Sequence, residues 1–429
     1  MYILYSLLLA CVVLISLPWW ALQMLRLGKY RAGLAERLGF TPHRLKQAAR
    51  PGSIWIHAVS VGEVLAVGRL ISELQKAYPS RPVFVSTTTA TGQRLARERF
   101  GEAHVFYMPL DFGFALRAYL RLLQPGLLIL AETEFWPNLL HLAKKNGVAV
   151  AIVNARISDR SFPRYRRFRW FFAPVLSQVD LFLPQTEEDA RRLCEIGAAG
   201  ESVQVSGNLK FDIRPSSATK IVEELRQAIR PDSPVIVCGS TAEGEEGPLL
   251  EALQSVLSTF PATIMVLAPR HPERFDKVAN LVASRKLTLV RRSSWNAGTA
   301  ITSNVFLLDT VGDLASVYAL ADIAFVGGSL VPTGGHNILE PAQHGVAIMV
   351  GPHTFNFREI VRIFEEGNGI SVVTEENLSR QWIELLQHPE ERKRLGERAQ
   401  ELFAQHTGAT QKTLRALAPL LGEKAAEAQ

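Results

Sequence analysis

From Ser53 onward the chain alternates short β-rich runs with stretches of helical period, and it does so twice. SIWIHAV, PVFVSTTT, GLLILAE, VAVAIVNA, LFLPQT and VQVSGN read as strands of a first series. Segments such as Gly62 to Ala77 and Gln185 to Ile196 lie between them with helical period. PVIVCGST, TIMVLAPR, LTLVRR, VFLLD, IAFVGG and AIMVG form a second series after Pro215. Strands alternating with helices predict a parallel sheet covered on both faces. Two series predict an α/β protein of two doubly wound, Rossmann-like domains facing a cleft. Ligands of such sheets bind beyond the carboxyl ends of the strands. The expected boundaries are an N-terminal domain over 26–207, a linker over 208–217 (NLKFDIRPSS) and a C-terminal domain over 218–400. Helices then run to a tail over 401–429.

The segment before the first strand has a different character. Residues 1–25 carry no charge, and Ile3 to Leu22 has the length of a membrane-crossing helix. Arg26, Lys29, Arg31 and Arg37 follow, with no basic residue before them. The positive-inside bias therefore predicts an N-terminal anchor over 1–25 with its N-terminus outside and both domains cytoplasmic. Trp19 and Trp20 suit an interfacial aromatic pair. A cleaved signal peptide fits less well, because the basic n-region and the small-residue cleavage site are missing. Pro18 is placed to bend or end the helix.

Charge adds to this expectation. The formal net charge is +6, which suits an anionic membrane or substrate. Arg164, Arg166, Arg167 and Arg169 alternate with Phe162, Tyr165, Phe168, Trp170, Phe171 and Phe172. Such a mixture suits anionic lipids at a membrane interface. It equally suits a helix with one apolar face in the core. A nucleic-acid surface is disfavoured, since no nucleic-acid fold motif accompanies it. Cys11, Cys194 and Cys238 are too scattered for a disulfide framework or a zinc site.

The chemistry sits just after strands. Glu63 follows SIWIHAV at the start of a helix, where a carboxylate could cap the helix or act in catalysis. Glu132 and Glu134 straddle the end of GLLILAE, and Pro137 opens the next helix. They read either as a capping pair or as active-site acids. GSTAEGEE, from Gly239, is a strand-to-helix turn with weak phosphate-binding character. It is neither a Walker sequence nor GxGxxG. APRHPERF puts an Arg and a His where an anion could bind. Phe325 to Gly345 is a glycine-rich loop leading to a helix near Asn337 with Glu340 in its first turn. Its N–H groups suit a phosphate and Glu340 suits a ribose. His57, His271, His336 and His344 are dispersed, and neither DxD nor HExxH occurs, so no metal or cofactor is expected.

The strings WIHAVSVGEV, AETEFWPN, NARIS, GNLKFD, GSTAEGEE, APRHPERF and GHNILEPA occur in that order, and with them the chain resembles the 3-deoxy-D-manno-octulosonic acid (Kdo) transferase family. The resemblance covers nearly the whole chain, anchor included. It implies the GT-B glycosyltransferase fold, with an acceptor-binding N-terminal domain and a donor-binding C-terminal domain. It implies transfer of Kdo from CMP-Kdo to the lipid A precursor, lipid IVA, at the cytoplasmic face of the Gram-negative inner membrane. By the same resemblance Glu63 corresponds to the general base. Glu132, preferred over Glu134, and Lys210 correspond to residues that stabilise the transition state. Pro269, Arg270, Val311, Gly312, Asp313, Asn337, Ile338, Leu339 and Glu340 correspond to the CMP site. One departure is visible: Ala242 stands where the family usually has His. Two other functions remain open from the residues alone. One is a GT-B enzyme using a UDP-sugar; the other is a tethered nucleotide-binding module without catalysis, against which Glu63 and Glu132 argue.

Overall fold

The structure, a computed structural model, describes residues 1–27, 33–212 and 220–422. The side chains of Trp19, Ala21 and residues 23–27 lie outside that description. So do Lys29 and Arg31, the linker residues 213–217 and the tail 423–429.

Two units emerge, one of residues 1–212 with 407–429 and one of residues 213–406. The first holds six parallel strands: β1 (Ile54–His57), β2 (Val83–Thr87), β3 (Val105–Tyr107), β4 (Leu127–Ala131), β5 (Ala149–Ala155) and β6 (Leu181–Pro184). Their order is β3-β2-β1-β4-β5-β6, the order of a dinucleotide-binding sheet. Trp55 pairs with Phe84 on one side and Leu128 on the other, and all three are fully buried. Every residue of β1, β2 and β4 is buried, which explains their largely apolar character. One face packs Trp55, Phe106, Leu128 and Ile152. The other packs Ile56, Val64, Leu70 and Ile129.

The second unit holds seven parallel strands: β7 (Val235–Thr241), β8 (Ile264–Pro269), β9 (Leu289–Arg291), β10 (Val305–Leu307), β11 (Ile323–Val326), β12 (Ala347–Val350) and β13 (Ile370–Val372). The order is β13-β12-β11-β7-β8-β10-β9. Leu253, Phe325, Met349 and Trp382 fill one side, and Val237, Phe306, Val317 and Tyr318 the other.

The predicted strands recur with one exception. VQVSGN makes a single bridge, Phe182 to Val203, and no strand. β3 and β13, of three residues each, are strands beyond those predicted. The predicted boundaries also move. The expected linker's first residues belong to the N-terminal unit, because Asn154 Oδ1 accepts the Leu209 N–H at 2.9 Å. The domain expected to end at 400 continues to the end of helix Pro389–His406. Beyond it the chain returns to the N-terminal unit. The Asp212 carboxylate accepts the N–H groups of Gly408 (2.6 Å) and Thr410. Helix Ala409–Leu417 buries Ala409 and Leu417 in the same cluster as Val64 and Leu70 of helix Val61–Ala77.

The N-terminal apolar segment is one helix, Tyr2–Leu27, with Pro18 inside it. Its first turns pack on the N-terminal unit. Tyr2 stacks on His141 at 4.0 Å between ring centroids, and Asn138 Nδ2 donates to Ser6 Oγ at 2.9 Å. Among the described residues no helix is long and apolar enough to cross a membrane. The last described side chain of the helix is Leu22.

Candidate active site

In the sheet order of the N-terminal unit, β1 and β4 are the neighbours at which the winding reverses. A doubly wound sheet binds its ligand at this point, and Glu63 and Glu132 follow these two strands. Ser60 caps helix Val61–Ala77, its Oγ accepting the Glu63 N–H. The Glu63 carboxylate answers by accepting from Val59 N (2.7 Å) and Ser60 Oγ (2.9 Å). The capping reading of Glu63 is therefore correct as structure. It also fixes the carboxylate at a strand end with both oxygens held. Only 7% of the residue is exposed. Burial raises its pKa above the ordinary carboxylate value, and the charge of Glu132 adds to the rise.

Glu132 is a non-glycine residue with φ 56°, a conformation that costs about 1 kcal/mol or more and recurs at functional sites. Its N–H donates to Val153 O at 2.9 Å, so the end of β4 stays tied to β5. Asn154, next along β5, also has a positive φ, 55°. Lys210 sits on the short turn Leu209–Phe211, which the Asn154 amide holds against β5. From there Lys210 Nζ donates to Glu132 Oε1 at 3.1 Å. Both side chains of this pair keep partial solvent contact. Glu134 completes the group. Burial first, then the charge of Glu63, pushes its pKa up to about 7. Three carboxylates thus converge with one lysine. His57, on β1, is buried and neutral, with burial lowering its pKa to about 4. Its Nδ1 faces Ser86, so it is a core residue of the sheet.

In the C-terminal unit the expected phosphate cradle is already filled by protein. Glu245 is fully buried. Its carboxylate accepts the N–H groups of Ala242 (2.7 Å), Gly328 (2.6 Å), Ser329 (2.8 Å) and Leu330 (2.8 Å). The glycine loop after β11 is locked to the turn after β7, and those amides are not available to a ligand. Gly327 is required at this closure, since a Cβ there would lie 2.7 Å from Ser240 O. The helix expected near Asn337 is only Leu339–Ala342, too short to supply a helix dipole. Ile338 and Leu339 are buried.

The two arginines of APRHPERF divide their work. Arg274 makes a forked pair with buried Glu246, at 2.7 and 2.8 Å, and ties β8 to β7. Arg270 is exposed, and its guanidinium makes no hydrogen bond among the described residues. Its charge lowers His336, which burial brings to about 4. The same charge works against the burial that raises Glu340. Asn337 Nδ2 donates to Glu340 Oε1 at 3.4 Å. Arg270, His336, Asn337 and Glu340 thus form one polar cluster. Tyr318 adjoins it, since the Glu340 charge adds to the burial that raises its hydroxyl pKa. Pro269 ends β8 and is buried. Val311 is 83% exposed, Gly312 has φ 102°, and Asp313 Oδ2 accepts from Thr310 Oγ1 at 2.6 Å. Ala242 donates only its backbone N–H, so the missing His side chain leaves the Glu245 lock intact. Asn154 and His336 are the residues that motif reading passed over. NARIS and GGHN contained them, but only the fold shows what they hold.

Two doubly wound parallel sheets, one with an acid–lysine group and one with a polar cluster around Arg270, have GT-B-like architecture. The solved UDP-GlcNAc 2-epimerase from Neisseria meningitidis shares this fold at a TM-score of 0.54, with 14% identity, over 85% of this chain and 99% of that one. The family model for 3-deoxy-D-manno-octulosonic-acid transferase matches residues 32–213, and that for glycosyl transferases group 1 matches residues 268–402. The 3-deoxy-D-manno-octulosonic acid transferase of Haemophilus influenzae is 37% identical over 97% of each chain. That of Bordetella pertussis is 36% identical over 86% of this chain and 87% of its own. The chain belongs to the Kdo transferase family.

Proposed function

We propose that this chain transfers Kdo from CMP-Kdo to lipid IVA, with inversion and without a metal, at the cytoplasmic face of the inner membrane. The relatives support the transferred sugar through their names. The observation that carries the mechanism is the convergence of Glu63, Glu132 and Lys210 at the switch point of one sheet.

Glu63 is the base. Its raised pKa makes it a better proton acceptor than an ordinary glutamate. The acceptor hydroxyl gives its proton to Glu63 as the new bond forms, and the CMP phosphate leaves from the opposite face of the sugar carbon. Lys210 offsets the charge of Glu132 beside this base, so the group holds two further carboxylates without full repulsion. On the donor side Arg270, whose guanidinium makes no hydrogen bond among the described residues, meets the leaving phosphate. Glu340 and Asn337 suit the ribose hydroxyls. With the glycine-loop amides held by Glu245, Arg270 carries most of the phosphate recognition.

Membrane attachment belongs to the same reading. Helix Tyr2–Leu27 exposes Ile3, Leu7, Val12 and Ile15, and the exposed Arg164, Arg166, Arg167 and Arg169 suit anionic lipids.

Calorimetry with CMP tests the donor assignment. Arg270→Ala is expected to weaken CMP by about 1.5–3 kcal/mol, and UDP should bind the parent chain less well than CMP. Equal CMP affinity in the two chains, or tighter UDP, counts against it.

A further inference from the structure

Tyr318 is 1% exposed and shares one face of the C-terminal sheet with Val237, Phe306 and Val317. It opens the short turn Tyr318–Leu320, directly after helix Leu314–Val317. A phenylalanine would fill that place equally well. A buried tyrosine hydroxyl ordinarily finds a hydrogen-bond partner, as Tyr119 Oη does by donating to Glu36 O at 3.2 Å. Tyr318 Oη makes no hydrogen bond among the described residues.

The backbone makes room for this oxygen. Gly239, near the end of β7, lies so close that a Cβ there would sit 1.9 Å from Tyr318 Oη. Gly239 pairs with Val326 on β11 and with Ala268 on β8. The hydroxyl therefore stands near the carboxyl ends of the central strands, level with the residue two before Arg270. The winding of this sheet reverses at β7, which is where a doubly wound sheet binds its ligand.

Glu340 approaches the same place. Helix Leu339–Ala342 packs on the turn Tyr318–Leu320, and His344 Nε2 meets Ala315 O at 3.0 Å. Burial first, then the charge of Glu340, raises the Tyr318 pKa, so the phenol keeps its proton and is a donor. One Glu340 oxygen takes a long bond of 3.4 Å from Asn337 Nδ2, and the other takes none among the described residues. A phenol O–H and a carboxylate oxygen are thus neighbours that do not bond each other. The group that satisfies both must accept from one and donate to the other. A sugar hydroxyl does so. A phosphate would meet Tyr318 but be repelled by Glu340, and an ammonium would meet Glu340 but offer Tyr318 nothing.

We propose that Tyr318 is a specificity-determining residue of the donor site: its Oη donates to a ribose hydroxyl that in turn donates to Glu340, so the site selects a ribonucleotide over its deoxy counterpart. This rests on the CMP reading of the site given above. A deoxy nucleotide would leave the phenol O–H and the carboxylate unpaired, which is how a polar site rejects a ligand lacking one hydroxyl.

The test titrates the full-length parent chain and Tyr318→Phe calorimetrically with CMP, 2′-deoxy-CMP and 3′-deoxy-CMP. Melting temperatures are taken on both chains without ligand. The parent is expected to bind CMP about 10-fold or more tightly than one of the deoxy nucleotides. In Tyr318→Phe, CMP should weaken roughly 3–10-fold, while that deoxy nucleotide binds as it does to the parent. The melting temperature should hold or rise, because the hydroxyl removed had no partner. Unchanged CMP affinity in Tyr318→Phe overturns the proposal, as does equal weakening of all three nucleotides. A variant that melts lower and keeps the parent's full preference for CMP shows a packing role only, and overturns it too. A parent chain that binds CMP without preference over either deoxy nucleotide overturns this assignment alone. A parent chain that does not bind CMP removes the donor reading itself, and this assignment with it.

Discussion

Glu63 carries the sharpest prediction at the scale of single residues, because its capping and catalytic roles separate on one substitution. Glu63→Gln keeps the size and can keep one of the carboxylate's two bonds, to Val59 N or Ser60 Oγ. As base, its loss should lower turnover by roughly 10²–10⁴-fold, with CMP affinity unchanged. As cap alone, its loss should cost on the order of 1 kcal/mol and leave turnover near normal. Turnover and melting temperature measured on the one variant distinguish these. The rate of the parent enzyme should also fall on an acidic limb set above the ordinary glutamate range, since burial raises the group that must be ionised. Glu134 gives a second prediction. Its folded pKa of about 7 exceeds the ordinary 4.5, so between those values the folded state holds the proton more firmly than the unfolded one. Its contribution to stability is present below the ordinary value and is lost as pH rises through the folded one. Glu134→Gln should therefore raise the melting temperature more at pH 8 than at pH 5. After discounting for solvent the gain is on the order of 1–2 kcal/mol. An equal shift at both pH values would refute this account of the carboxylate group.

At the scale of elements, the joint between β5 and the Leu209–Phe211 turn makes the site possible. Asn154→Ala leaves the buried Leu209 N–H without its acceptor, which should cost about 1–3 kcal/mol. It should also lower turnover by loosening Lys210 from Glu132. Normal turnover in a destabilised Asn154→Ala chain would show the turn to be scaffold only. The strands that bear these residues were legible because β1, β4 and β8 are buried end to end and bounded by turn residues. Glu63, Glu132 and Arg270 were legible because they are charged and stand immediately after such runs. What could not be read was which polar group meets which. Gly327 to Leu330 looks like a phosphate loop in sequence, and nothing local shows that Glu245, far off in the chain, already takes its amides. Arg270 and Arg274 are equivalent as letters, yet one is exposed and the other is forked onto Glu246. Likewise the return of the chain to the first unit at 407 is set by Asp212, which bonds Gly408 and Thr410 across a long sequence gap.

For the whole molecule, the first unit holds the acid–lysine group and the second the exposed Arg270 with its polar neighbours, and the proposed reaction needs both. The apolar helix Tyr2–Leu27 and the arginines at 164–169 belong to the first unit, so the unit with the proposed base is also the one suited to a lipid surface. The central claim is that this chain moves Kdo from CMP-Kdo onto a lipid A precursor without a metal. Purified full-length enzyme should be incubated with CMP-Kdo and lipid IVA in excess EDTA, and the lipid product weighed by mass spectrometry. The account predicts a lipid heavier by one or more whole Kdo residues, formed at the same rate with and without chelator and at a rate roughly 10²–10⁴-fold lower with Glu63→Gln. An unmodified lipid, or transfer that stops in EDTA and returns with Mg²⁺, would contradict it.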